Sequence, residues 1–238
     1  MREENIIINE LQNSGTSWTH NKSFDDNGYV YLKDVIDTRL LYCPLPKERG
    51  NLRYYDKGMN DFIHNETEDQ VEGSISRYWY PPYRVVHSLL REKIEEVIGR
   101  KLYNTYYYDR FYLPGQELKK HTDRPACEIS ISVHVSSNID EHWPIYIKTP
   151  DIYTVSSKSS KQKTFSGIEK KGDVVGVMLN PGDGLLYKGC ERPHWREPMT
   201  GTFEMMRGGA EQLYYHQIFF HYVLQDGIRA HHAWDKCN

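Results

Sequence analysis

Long apolar runs are missing from this 238-residue chain. No stretch approaches the roughly eighteen residues needed to cross a bilayer, which excludes a membrane-spanning helix. Cysteine is scarce and scattered. Cys43, Cys127, Cys190 and Cys237 form no Cys-x-x-Cys pair, a spacing that fits reduced cytoplasmic thiols rather than a disulfide framework or a zinc site. An excess of one charge is lacking too. Thirty Lys and Arg stand against 33 Asp and Glu, a formal charge of −3, so no global field draws nucleic acid or anionic membrane. The opening MREENIIINELQ is acidic before it is apolar, and no secretory signal is expected there. Repeats are absent as well. What the chain has in quantity is tyrosine, 19 residues, a residue that favours strands and half-buried surfaces.

The length suits one large domain, read here as a single unit over 1–238 with its core at about 102–223. Residues 1–60 read as short strands and turns, with Gly28–Ile36 the best strand. The polar tract 57–78 reads as a loop or ragged helix. One clear helix covers 84–98, where Val85, Val86, Leu89, Leu90, Ile94, Val97 and Ile98 recur at helical spacing and Gly99 stops them. Past the helix the period becomes two. Tyr106, Tyr108, Arg110 and Tyr112 share one face of a strand, and Pro114-Gly115 turns the chain. Further strands are expected over 117–123, 128–135 and 143–148, and the Ser- and Lys-rich tract 149–171 reads as a mobile insertion. Residues 173–179 and 185–188, joined by Asn180-Pro-Gly-Asp183, read as a hairpin. Short strands at 194–197 and 212–223 follow, with a flexible break at Gly208-Gly209. A helix followed by about eight short strands predicts a mainly β fold with a flanking helix, a double-stranded β-helix or jelly roll.

Chemistry concentrates in two places, His121-Thr-Asp123 and Pro193-His194-Trp195-Arg196. Side chains two apart on a strand point the same way, so His121 and Asp123 could hold one metal ion together if a strand carries both. Two imidazoles and one carboxylate bind Fe(II) on one face and leave the opposite positions open. The pair alone is weak, since 11 His and 33 acidic residues in 238 (11 × 33/238) yield about 1.5 such pairs by chance. His64-Asn-Glu66 is a second case and reads as solvated surface. His216 and His221 are rival second histidines, and their odd separation lets only one face inward.

In this context the chain resembles the 2-oxoglutarate/Fe(II)-dependent oxygenases, in particular their prolyl-hydroxylase-like branch. Tyr107–Asp123 (YYDRFYLPGQELKKHTD), Asn180–Gly189 (NPGDGLLYKG), Pro193–Glu197 (PHWRE) and Gln217–Val223 carry the resemblance. It covers about residues 80–223. The resemblance implies an oxidoreductase, a dioxygenase of hydroxylase type, with His121, Asp123 and His194 binding Fe(II). It further implies 2-oxoglutarate as co-substrate, decarboxylated to succinate and CO2 with O2 while a C–H bond of a peptide or small molecule is hydroxylated. Peptidyl proline is the first substrate the resemblance suggests. Retention of Asp123 argues for hydroxylation over halogenation, because halogenating relatives free that position. The other readings are a jelly-roll module that binds a ligand or partner without catalysis, and a metal-dependent jelly-roll enzyme that does not use 2-oxoglutarate.

One departure from the family stands out. Most members hold the distal carboxylate of 2-oxoglutarate with an Arg or Lys at the start of the last strand, and residues 212–223 contain neither. Arg196 is the favoured substitute, since it lies two places after His194 and could form a bidentate clamp. Arg110, Lys148 and Arg207 are the other candidates, and Tyr112 could add its hydroxyl. The competing role for Arg196 is an ion pair with Glu191 or Glu197, and for Tyr112 core packing. Arg124 and Glu128 could orient Asp123, touch substrate or simply pair with other charges. Trp195 could wall the pocket or merely pack. The aromatic run 103–112 lacks the basic stripe that base stacking on nucleic acid would need.

Overall fold

The computed structural model describes residues 15–46, 50–51, 62–65, 69–139, 141–159, 162–200 and 212–235. Helix α1 (Lys22–Asn27) leads into β1 (Tyr29–Leu32), within the expected strand at 28–36. Three edge strands follow, β2 (Gly50–Asn51), β3 (Ile63–Asn65) and β4 (Ser74–Tyr78), and then helix α2 (Tyr83–Ile98). The core strands are β5 (Leu102–Tyr112), β6 (Leu118–His121), β7 (Ile129–Ser137) and β8 (Ile145–Lys148). After them come β9 (Ile152–Ser159), β10 (Gln162–Lys170), β11 (Val174–Val177), β12 (Gly184–Tyr187), β13 (His194–Arg196) and β14 (Tyr215–Leu224).

Two sheets face each other. The larger runs β1-β12-β7-β14-β5-β4-β3-β2 and the smaller β11-β8-β13-β6. This is the expected jelly roll, and strand alternation explains how its large sheet is sealed. On one face Ile129, Ile131, Val133, Ile218, Phe220 and Tyr222 pack against Val86, Leu90, Ile94 and Val97 of α2 in one buried cluster. The opposite residues of the same strands, among them Tyr106, Tyr108, Tyr112, Tyr215 and Phe219, form a second cluster inside the roll. With both faces covered, β5 and β14 are buried almost end to end and show no polar alternation. Helix α2 ends as its sequence predicts, with Gly99 at φ 68° donating its N–H to the Glu95 carbonyl.

Four expectations need correction. Within 57–78, Ile63–Asn65 and Ser74–Tyr78 are strands on the edge of the large sheet, because Ser74-Ile-Ser-Arg-Tyr78 alternates at the strand period. The tract 149–171 is not an unstructured insertion. Strands β9 and β10 pair antiparallel, their β-branched and aromatic residues (Ile152, Tyr153, Thr154, Val155 against Thr164, Phe165, Ile168) outweighing the Ser and Lys between them. The pair 173–179 and 185–188 is no hairpin. Strand β11 pairs with β8 and β12 with β7 and β1, so the Asn180–Asp183 turn carries the chain from the small sheet to the large one. Gly182, at φ 95°, permits the sharp change, and Asp183 fixes it by accepting from Tyr31 Oη (2.6 Å), Asp34 N (2.9 Å) and Asn180 N (2.9 Å). The strand expected over 117–123 stops at His121, so Asp123 lies beyond it. Gly208-Gly209 and Arg207 fall outside the described residues. Among the described residues no helix is long and apolar enough to cross a membrane.

Candidate metal centre

His194 on β13 is the register partner of His121 on β6, so the small sheet alone sets the two imidazoles side by side, 4.3 Å between ring centres. Asp123 joins them by another route. Its own N–H donates to the Gly189 carbonyl at 2.9 Å, and the short turn Pro125–Cys127 follows at once. The same-face argument from strand spacing therefore gives way to a loop anchored on Gly189. A Cβ at Gly189 would overlap Asp123 Oδ2 and the Cys127 carbonyl oxygen, so only glycine lets the carboxylate sit here.

The ring nitrogens are sorted by their partners. His121 Nδ1–H donates to the Lys119 carbonyl at 2.7 Å and His194 Nδ1–H to the Arg192 carbonyl at 3.0 Å. Each Nε2 then carries a lone pair, and each lies 3.5 Å from Asp123 Oδ1. Metal bonds of about 2.0–2.2 Å place neighbouring donors about 3 Å apart, so a slight contraction closes this set around an ion. Burial alone would push the Asp123 carboxyl up. With a proton on Nε2 where a metal would bind, the His194 charge and hydrogen bonds from His121 and His194 outweigh it and hold the carboxyl well below the usual range. Burial likewise opposes charge on His194, but Asp123 beside it raises the pKa on balance. Donor types, tautomers and spacing all fit Fe(II).

Two further groups of metal-binding side chains have donor atoms within 4.8 Å of one another among the described residues. Cys43, Asp109 and His216 lie on the outer face of the large sheet. There Arg77 already occupies the Asp109 carboxylate with two hydrogen bonds, 3.1 and 2.7 Å, and His216 Nε2 adds a third at 2.9 Å. The last group, Asp123, Cys127 and His221, shares Asp123 with the centre itself. His216 and His221 thus face opposite sides of β14, as their odd separation requires.

The co-substrate candidates separate clearly. Arg196 is 1% exposed and faces inward beside His194. It donates to the Trp143 carbonyl, to Tyr215 Oη at 3.3 Å and to Gln217 Oε1 at 3.0 Å. The indole of Trp143 and the ring of Tyr215 lie 4.5 and 4.6 Å from its guanidinium carbon. Neither Glu191 nor Glu197 pairs with it; Glu197 Oε1 accepts from Trp195 Nε1 instead. Three buried groups around this slot have no hydrogen-bond partner: Arg196 Nε, Gln217 Nε2 and Tyr112 Oη. Tyr112 packs on Trp143 and is the register partner of Tyr215, so its ring lies beside the two rings that flank Arg196. All three can donate, and a carboxylate only accepts.

Arg110 shares the inner face, donating to Ser76 Oγ at 3.1 Å between the rings of Tyr108 and Tyr112. Lys148 alternates with the inward Ile145 and Ile147 and pairs with Asp151 at 2.9 Å, so the strand turns it away. Trp195 also faces out, stacked on Tyr146. Arg124 pairs with Asp235, and Glu128 with Arg229 at 3.0 Å, so both tie down the C-terminal segment. Sequence reasoning missed Gly189, Ser130 and Tyr187. Tyr187, whose ring centre is 4.7 Å from that of His194, walls the site.

No protein-family model and no curated protein matches the sequence. Solved structures do match the fold. A prolyl-4-hydroxylase from Pseudomonas putida aligns over 84% of this chain and 95% of its own, at 12% identity and TM-score 0.50. The non-heme alpha-ketoglutarate-dependent carbocyclase SnoK of nogalamycin biosynthesis aligns over 92% of each chain, at 12% identity and TM-score 0.53. A Burkholderia pseudomallei oxidoreductase of the 2OG-Fe(II) oxygenase family aligns over 84% of this chain and 86% of its own, at 11% identity and TM-score 0.50. What these identities share is the fold, the double-stranded β-helix of the 2-oxoglutarate/Fe(II) oxygenases.

Proposed function

We propose that the chain is an Fe(II)- and 2-oxoglutarate-dependent oxygenase that hydroxylates a C–H bond, with His121, Asp123 and His194 holding the iron. One observation carries the reading. Two Nε2 lone pairs and one carboxylate oxygen converge inside the roll, each imidazole locked in the tautomer a metal needs. Bound Fe(II), with 2-oxoglutarate and O2, supplies oxidative decarboxylation coupled to C–H hydroxylation. The chain's own residues bind, orient and exclude water. Arg196, two residues or about 6.6 Å along the strand from His194, anchors the distal carboxylate of the co-substrate. Gln217 and Tyr112 complete that slot with their unfilled donors. The cation has thus moved from the last strand to β13, and the last strand keeps Tyr215 and Gln217 to hold it. Tyr108, Phe219 and Tyr187 line the interior and keep water from the centre.

Among substrates, peptidyl proline is the first to test, since a prolyl-4-hydroxylase shares the fold. A carbocyclase and an epimerase share it equally well, so the fold leaves the target carbon open. The decisive measurement is anaerobic. Purified protein given Fe(II) and 2-oxoglutarate should develop a weak visible charge-transfer band, and His194→Ala should lose it. Absence of the band in wild type, together with unimpaired iron binding by His194→Ala, would overturn the assignment.

A further inference from the structure

Asp123 has two carboxylate oxygens, and the histidines face only one of them. Oδ1 lies 3.5 Å from both Nε2 atoms, while Oδ2 accepts from Ser130 Oγ at 3.1 Å. Ser130 Oγ in turn lies 2.8 Å from His221 Nδ1. A hydroxyl carries one proton, and a carboxylate is a stronger acceptor than an imidazole nitrogen or the Cys127 carbonyl, which stands 3.4 Å away. The proton therefore goes to Asp123, and His221 Nδ1–H donates to Ser130 Oγ. The two residues are register partners on β7 and β14, and both are buried. The His221 ring packs against Tyr106, 4.6 Å away, and Tyr108, 5.8 Å away.

We infer that Ser130 and His221 are positioning residues for the metal-binding carboxylate, a relay His221 Nδ1–H to Ser130 Oγ–H to Asp123 Oδ2 that keeps Asp123 a one-oxygen ligand. The inference rests on the metal-site reading of His121, Asp123 and His194. A carboxylate can bind a metal through one oxygen or both. Binding through both would occupy a position that a facial set must leave open for a chelating acid and O2. The relay holds Oδ2 on one side, and Gly189 leaves room for it on the other, where a Cβ would overlap it. It also accounts for the grouping of Asp123, Cys127 and His221, because the Ser130 hydroxyl stands between Asp123 and His221.

The test is Co(II) titration of the full chain without co-substrate, followed by d–d absorption. Four proteins are compared: wild type, Ser130→Ala, His221→Phe and His221→Asn. Ser130→Ala and His221→Phe should bind Co(II) about 10- to 100-fold more weakly, the usual cost of losing an outer hydrogen bond to a metal ligand. Both should show an altered d–d spectrum. His221→Asn should stay near wild type in both respects, since its amide N–H can stand where Nδ1–H stood. His221→Phe keeps the ring packing and loses only the donor, so tight binding by Phe with weak binding by Asn overturns the relay. Unchanged affinity and spectrum in Ser130→Ala overturn it too, as does a second Co(II) with thiolate absorption from Cys127. Should Ser130→Ala fail to fold, the two His221 variants decide alone. A wild-type protein that binds no Co(II) overturns the metal-site reading itself, and this inference with it.

Discussion

At the scale of single residues, the site depends as much on a side chain that is missing as on those that bind. Gly189 carries no positive φ that would demand glycine, and its role is purely close approach. Gly189→Ala should therefore displace both Asp123 and the Cys127 carbonyl, lower the stability of the fold, and in the protein that still folds weaken Fe(II) or Co(II) binding by about 10- to 100-fold, as loss of ligand orientation does elsewhere. Equilibrium metal titration checks this, and wild-type affinity would refute it. Arg196 makes a different kind of claim. A hydrogen bond to a charged group contributes about 1.5–3 kcal/mol, so Arg196→Gln should raise the 2-oxoglutarate concentration for half-maximal binding by about 10- to 150-fold. Arg196→Lys should recover only part of that, because a point charge cannot reproduce the fork. If both variants bind 2-oxoglutarate like wild type, the anchor lies elsewhere. His121, Asp123, His194 and Arg196 could be picked out from the sequence because their chemistry is rare and their order is informative. Gly189 and Ser130 could not. Glycine and serine carry no chemical signature, and only the folded chain shows what surrounds Asp123.

At the scale of elements, β5 and α2 were readable from their spacing, while the long strands β9 and β10 were not. Tyr106, Tyr108, Arg110 and Tyr112 do share the inner face, and α2 begins and ends within one residue of its predicted span. Partner choice was not readable. The turn at 180–183 looks like a hairpin because turn chemistry reports a change of direction and not which sheet receives the next strand. What commits the chain is Asp183, buried between the sheets with four donors aimed at one acceptor-only side chain: Tyr31 Oη, Asp34 N, Asn180 N and Asn180 Nδ2. Asp183→Asn is nearly isosteric yet sets an N–H against one of those donors. It should cost about 2–4 kcal/mol, lowering Tm by about 4–16 °C for a domain of this size. Thermal unfolding measured by circular dichroism decides, and a loss under 1 °C would show that the crossover is held by other contacts. Residues 149–171 teach a related point. Ser and Lys dominate the composition there, yet the two strands pair, with Phe165 opposite Val155 and Ile168 opposite Tyr153 in the ladder.

At the scale of the whole molecule, sealing the large sheet on both faces buries histidines that must remain neutral. His87, on α2, is pressed against Tyr107, Phe220 and Tyr222, with Arg91 and His221 the nearby charged or titratable groups. Burial is the main cause that pushes it down to about 3. His134 lies inside the roll, stacked on Tyr215 near Arg196 and His216, and burial pushes it down to about 4. The unfolded chain would titrate both near their ordinary value of about 6.5. Between that value and the folded ones the unfolded state binds more protons. Stability is then complete above about pH 6.5 and is lost as pH falls towards 4, by up to about 1.4 kcal/mol per pH unit for each histidine. His194 works in the opposite sense, because Asp123 raises its folded pKa, so the net slope is smaller than the sum. A paired comparison removes that complication. His87 Nε2–H donates to the His221 carbonyl at 3.0 Å, and the amide of His87→Gln can supply the same donor without titrating. Urea unfolding of both proteins in chelator, at pH values from 7.5 to 4.5, should give equal m-values but a shallower loss of stability in the variant. The difference should approach about 1.4 kcal/mol per pH unit below pH 6. Parallel curves would mean that His87 is protonated in the folded chain, and that the packing of α2 on the sheet leaves water beside it.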